Sequence, residues 1–168
     1  MQISHTVKLE IERSAEAVYD FVTAVETPTK VFSGYGPIPA VIETTVVGGG
    51  PLLEGSICRT RNSDGSMMNR TISVLERPRR HQYVVDGDGF RPLFRMMVRR
   101  GHGTWLFEPR GDASHLLSTY SFEPRRVFWW IPVFFLIRIF FAPAMARCIL
   151  ATKRELERAA AKISPRAS

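Results

Sequence analysis

Cysteine is scarce in this chain, with only Cys58 and Cys148 among 168 residues. That excludes a dense disulfide scaffold. Neither cysteine belongs to a CxxC pair, and His5, His81, His102 and His115 are scattered without metal-ligand spacing, so no metal site is expected. A Gly-x-Ser-x-Gly elbow is missing, which removes the hydrolase template built on it. Gly48-Gly49-Gly50-Pro51 lacks the Lys-Ser/Thr of a phosphate loop, and Asp86-Gly87-Asp88-Gly89-Phe90 puts Phe at the fifth position of a calcium loop. Both read as strand turns, and no cofactor is expected. Residues Met1–Glu10 alternate instead of running from a basic segment into an apolar one, so a secretory signal is not visible and a cytoplasmic setting is expected.

Lysine is also rare, four residues against nineteen arginines in a chain of net charge +7. The charge is uneven. Residues 1–58 hold three bases and seven acids, residues 59–110 eleven and five, and residues 111–168 nine and four. Such a surface attracts phosphates, anionic lipids or acidic partners. An arginine bias of this kind reads first as a solvated basic face, and nucleic acid is not the expected partner. Apolar residues at 45% and charged residues at 23% are ordinary for a globular protein. The length fits one domain, taken as residues 1–163 with a frayed tail at 164–168.

Ile3, His5, Val7, Leu9 and Ile11 alternate with polar residues, which predicts a half-buried strand. Ser14 is a candidate N-cap, with Glu16 in the first turn and Ala17, Val18, Phe21, Val22 and Val25 at helical spacing. Thr27-Pro28 is expected to interrupt that helix, and a second short one runs to Phe32. Six more strands follow, over Ala40–Val47, Gly55–Asn62, Met67–Glu76, Gln82–Val85, Met96–Pro109 and Ser114–Glu123. Their connections are short and rich in Gly, Asp, Ser and Pro, which implies an antiparallel sheet, since parallel neighbours need long crossovers.

Val127–Ala142 is almost wholly apolar, and after Pro143 the pattern turns amphipathic. This predicts a long C-terminal helix bent where Pro143 removes a donor. Twenty residues separate Arg126 from Arg147, close to a membrane span, but Arg138 near the middle would cost about 2.5–3.5 kcal/mol there. A packed helix is the expected reading, covered on one side by the sheet and on the other by a partner, which leaves a homodimer open. Trp129 and Trp130 beside Arg125 and Arg126 suit contact with a membrane surface, so membrane association is an alternative.

A strand, two short helices, six antiparallel strands and a long terminal helix make an α+β helix-grip fold. A curved seven-stranded sheet wraps the helix and leaves a cavity between them. The order resembles the START/Bet v 1-like (SRPBCC) superfamily, in particular its polyketide cyclase/dehydrase and lipid-transport branch. The residues that carry the likeness are Val7–Ile11 with Ser14–Val22, Glu54-Gly55-Ser56, Val74–Arg80 and Lys153–Glu157. The resemblance implies a hydrophobic-ligand pocket. Some members are cyclases or dehydratases and others carry lipids or quinones, with no universal catalytic motif to transfer. The aromatic density of Phe128–Phe141 departs from the family pattern.

Strand parity nominates the lining. Met97, Arg99, Trp105 and Phe107 share one face of the sixth strand and are assigned inward as the bulkier set. Leu116, Ser118, Tyr120 and Phe122 share a face of the seventh, Tyr83 and Val85 of the fifth, and Met68, Ile72 and Val74 of the fourth. Tyr83, Met97, Arg99, Trp105, Phe107, Tyr120 and Phe122 are the candidate ligand-binding residues. Arg99 is the expected polar anchor, because an inward guanidinium needs an oxygen partner. The expected function is binding a lipid, quinone or polyketide-like molecule for transport or presentation. The alternatives are a cyclase/aromatase or dehydratase in the same cavity, with no catalytic residue assigned, and a module that docks on a membrane or a ribonucleoprotein.

Overall fold

A computed structural model describes residues 1–163; the expected tail at 164–168 lies outside the described residues. Strand β1 (Ile3–Ile11) keeps its alternation, with Ile3 and Ile11 buried and Ser4, Thr6, Lys8 and Glu10 exposed. Helix α1 (Ala15–Thr23) starts at Ser14, whose Oγ accepts from the Ala17 amide at 3.3 Å. Thr27-Pro28 opens the next helix, α2 (Thr27–Val31), instead of merely separating two. Proline is tolerated in a first turn because that amide has no helical acceptor.

The sheet then runs through β2 (Val41–Val46), β3 (Ile57–Asn62), β4 (Met67–Glu76), β5 (Arg80–Asp86), β6 (Val98–Arg110) and β7 (Ala113–Pro124). All neighbours are antiparallel, in the spatial order β1-β7-β6-β5-β4-β3-β2. Only β1 pairs out of sequence, reaching β7 from Ile3 opposite Phe122 to Ile11 opposite Ser114. Hydroxyl pairs on the outer face, Ser4 with Ser121 and Thr6 with Thr119 at 2.8 Å each, hold that register. Since β1 and β2 are opposite edges, α1 and α2 must cross one end of the sheet to join them.

The sixth strand begins later than expected. A short 3-10 turn at Gly87–Gly89 and a helix, α3 (Pro92–Met97), occupy residues read in part as strand. Pro92 starts α3 as Pro28 starts α2. The C-terminal helix comprises α4 (Trp130–Leu136), a π-helical turn (Ile137–Phe141) and α5 (Ala142–Ile163). Pro143 could not donate to the Ile139 carbonyl, and the widened turn falls immediately before it.

Two clusters make the core. The larger joins Ile11, Val18, Tyr19, Phe107 and Leu116 to Met145, Ile149 and Leu156 of α5. The smaller joins Ile3, Met97, Val98 and Phe122 to Val133 and Ile137. This is the seven-stranded α+β helix-grip architecture that the element order implied.

Candidate functional site

A cavity of about 280 Å³ lies between the inner face of the sheet, helices α1 and α2, and the C-terminal helix. It is just below the usual 300–1,000 Å³ of small-molecule sites, and its walls are mainly apolar. The π-helical turn sits against it, with Leu136, Ile137, Phe140 and Phe141 lining that wall. Aromatic rings continue along the floor: Phe141 meets Phe122 at 4.8 Å and Tyr120 at 5.1 Å between centroids, and Phe94 meets Phe122 at 5.6 Å.

Two glycines make room for this floor. On β6, Gly103 pairs with Tyr83 on one side and Tyr120 on the other. A methyl at Gly103 would come within 2.4 Å of the Tyr83 ring. The missing side chain lets the two tyrosines reach across the strand between them, and their hydroxyls hydrogen-bond each other at 2.7 Å. Gly101, two residues before, sits likewise between Val85 and Phe122, with Phe90 packed over it.

Polar lining groups include Arg70 of β4 and His81 and Tyr83 of β5, with Thr60 and Asn62 of β3, Arg91, and Thr152 of α5. The Arg70 guanidinium lies over the Tyr83 ring, 5.4 Å from its centroid. Arg70 Nε is buried and, among the described residues, has no hydrogen-bond partner. His81 is 3% exposed and its Nδ1 is also without a partner. Burial, then the neighbouring Arg70 charge, lowers the His81 pKa to about 4. Burial raises the pKa of both tyrosines, so they remain phenols at neutral pH. It also pushes the Cys148 thiol, on the opposite wall, up to about 12. The site therefore offers a cation and hydroxyl donors; of its two imidazoles, the buried His81 is a weak base and His102 is paired with Glu123 at 2.8 Å.

Of the residues nominated from sequence, Tyr83, Trp105, Tyr120 and Phe122 line the cavity together. Phe107 is buried elsewhere, edge-on to Tyr19 at 5.2 Å, and Met97 belongs to the smaller core cluster. Arg99 points outward, against expectation. Its side chain is 62% exposed and approaches Glu123 at 3.6 Å. An irregularity in pairing between Val98 and Arg100 inserts one residue and reverses the parity there, turning Val98 inward instead. Val74 lies past a similar shift after Ile72 and lines nothing in the cavity. The inward guanidinium is Arg70, which shares the parity of Met68 and Ile72 and was legible by the rule that found them. His81, two residues before Tyr83, was legible in the same way. Among the described residues no group of three or more His, Cys, Asp or Glu is placed to hold a metal ion.

A sheet gripping a helix around an apolar cavity with a few convergent polar groups defines a hydrophobic-ligand fold. The sequence matches the family described as polyketide cyclase / dehydrase and lipid transport over residues 2–162, and the chain belongs to that family. No curated protein matches it in sequence. Among solved structures it is similar to Ara h 8.0201, at 10% identity and a TM-score of 0.70, over 94% of this chain and 99% of that one. It is also similar to the di-domain ARO/CYC BexL from the BE-7585A biosynthetic pathway, at 18% identity and a TM-score of 0.67, over 93% of this chain and 50% of that one. Truncated norcoclaurine synthase from Thalictrum flavum matches at 13% identity and a TM-score of 0.62, over 93% and 94% of the two chains. At these identities the likeness is one of fold.

Proposed function

We propose that the protein binds an apolar small molecule, a lipid, quinone or polyketide-like compound, whose oxygen-bearing group meets Arg70 and the tyrosine pair. Transport or presentation of that molecule is the role. The observation that carries this reading is the buried Arg70 Nε, a donor with no acceptor among the described residues in an apolar cavity. A buried unsatisfied donor costs about 1–3 kcal/mol, which a carboxylate, phosphate or enolate oxygen would recover. Support for binding over turnover comes from the weakness of His81, the imidazole buried beside Arg70 and Tyr83, as a base. An effective general base titrates near the working pH, and His81 at about 4 is far below it.

The test compares two fluorescent probes of similar shape, anionic 1-anilinonaphthalene-8-sulfonate and neutral N-phenyl-1-naphthylamine. Arg70→Met should weaken the anion by roughly 10–100-fold, the equivalent of about 1.5–3 kcal/mol for a charged hydrogen bond, and leave the neutral probe within about twofold. Equal loss of both would refute Arg70 as the anchor, and failure of either probe to bind wild-type protein would refute the cavity as a site. A second reading, a cyclase/aromatase or dehydratase, is favoured by the phenol pair beside a fixed cation. In it Arg70 polarises a carbonyl and Tyr120 supplies a proton. Turnover abolished by Tyr120→Phe with probe binding kept would establish that reading.

A further inference from the structure

The outer surface of the elements that close the cavity is apolar where a monomer's surface is normally polar. Phe128, Ile131, Phe135 and Ile139 follow one another at helical spacing, and Leu93 and Met96 of α3 are exposed as well; all six are 53–65% exposed. The two helices adjoin. The Arg125 amide donates to the Met97 carbonyl at 2.8 Å, and Arg125 Nε donates to the Arg95 carbonyl at 2.7 Å. The opposite side of the same C-terminal helix is core, with Val133, Ile137, Met145 and Ile149 at 0–3% exposure. The helix therefore cannot leave the sheet to span a bilayer without opening the core, although Val127–Ala160 is long and apolar enough to do so.

Positive charge is in excess around this surface: Arg91, Arg99 and Arg100 are matched by Asp64, Glu123 and Asp86, whereas Arg95, Arg125, Arg126 and Arg138 have no carboxylate partner among the described residues. From Gly89 to Phe107 the sequence holds four arginines and no acid, and from Pro124 to Arg154 five arginines, one lysine and no acid. Arg125 and Arg126 line a recess of about 150 Å³ beside Trp130, whose buried Nε1 has no acceptor among the described residues. The recess thus presents donors that suit a phosphate oxygen. A second copy of the chain docked on the same face would set arginine against arginine. An anionic bilayer, apolar inside and negative at its surface, matches both features.

We infer that this face docks the protein on the surface of an anionic lipid bilayer, with Phe128, Ile131, Phe135 and Ile139 inserted and the Arg125–Arg126–Trp130 recess holding a lipid phosphate. The inner sides of the same helices line the cavity through Phe94, Leu136 and Ile137, so docking sets the cavity's helical wall against the membrane. The inference does not depend on what the cavity binds.

The full chain is to be tested by flotation with phosphatidylcholine vesicles, with and without phosphatidylglycerol, across a salt series. Binding should require phosphatidylglycerol and weaken as salt rises. Phe135→Ser with Ile139→Ser should weaken it about tenfold or more. Arg126→Glu with Arg138→Glu should weaken it at least fivefold for each arginine, since neutral replacement alone costs roughly that much. These side chains are exposed, and an unchanged melting temperature verifies that each variant folds. No flotation at low salt, flotation indifferent to phosphatidylglycerol, or binding unmoved by either variant would overturn the inference. So would a concentration-dependent dimer that Phe135→Ser with Ile139→Ser dissolves, because the face would then be a self-interface.

Discussion

Gly103→Ala tests the central geometric claim, that a bare position on β6 lets Tyr83 and Tyr120 meet. The new methyl would lie 2.4 Å from Tyr83 Cζ and 2.7 Å from its hydroxyl, so the ring must retreat by about 1 Å to regain ordinary contact. It has little room, because Tyr120 stands 6.2 Å away, His81 5.7 Å, and the Arg70 guanidinium 5.4 Å from its centroid. Overpacking of this kind costs about 1–3 kcal/mol, and loss of the hydroxyl pair adds about 1 kcal/mol. Against this, alanine gains about 1 kcal/mol over glycine by restricting the unfolded chain. The net is roughly 2 kcal/mol, a fall in Tm of roughly 4–8 °C for a domain of this size. Thermal unfolding followed by circular dichroism reads it directly. In a Tyr83→Val background, where no ring is struck, the same substitution should be neutral or stabilising. An equal loss in both backgrounds would refute the reasoning, as would a Gly103→Ala variant that melts at or above wild type.

His81 makes stability depend on acid. The unfolded imidazole takes a proton near 6.5 and the folded one only near 4, so protons favour the unfolded chain between those values. The contribution is complete above pH 6.5 and declines by up to about 3 kcal/mol as pH falls to 4. Urea midpoints at several pH values should show a slope that His81→Phe flattens; parallel curves would contradict it. Ser118 is 1% exposed and its Oγ has no partner among the described residues, so Ser118→Ala should be neutral or stabilising by about 1 kcal/mol in urea unfolding. A loss above about 1 kcal/mol would show that the hydroxyl is engaged. Arg91 lines the cavity and bridges Asp64 of the β3–β4 turn at 2.9 Å and the Pro37 carbonyl at 3.2 Å. Stopped-flow mixing of Arg91→Ala with N-phenyl-1-naphthylamine should show faster association and dissociation at similar affinity; unchanged rates would exclude a gating part for this bridge.

Local chemistry is what made the architecture readable. Alternation over Ile3–Ile11, the cap at Ser14, the turn at Gly48–Pro51 and the apolar run before Pro143 each act within a few residues, so their message survives without the fold. Parity reached Tyr83, Trp105, Tyr120 and Phe122 for the same reason. It failed at Arg99, because a single inserted residue in the β6–β7 pairing turns Val98 inward and leaves Arg99 outside, and nothing between Val98 and Arg100 announces that shift. It also passed over Arg70, because the inward set taken from the fourth strand was apolar only, Met68, Ile72 and Val74, although Arg70 shares the parity of Met68 and Ile72.

The sequence by itself thus determined the order of elements, the antiparallel sheet and the greasy terminal helix, because periodicity and turn chemistry are properties of neighbouring residues. Only the tertiary structure decided which guanidinium faces the cavity, that Gly103 brings two distant tyrosines together, and that one flank of the terminal helix stays uncovered. Those outcomes depend on strand register and on residues far apart in the chain, and register is set by the whole sheet packing at once.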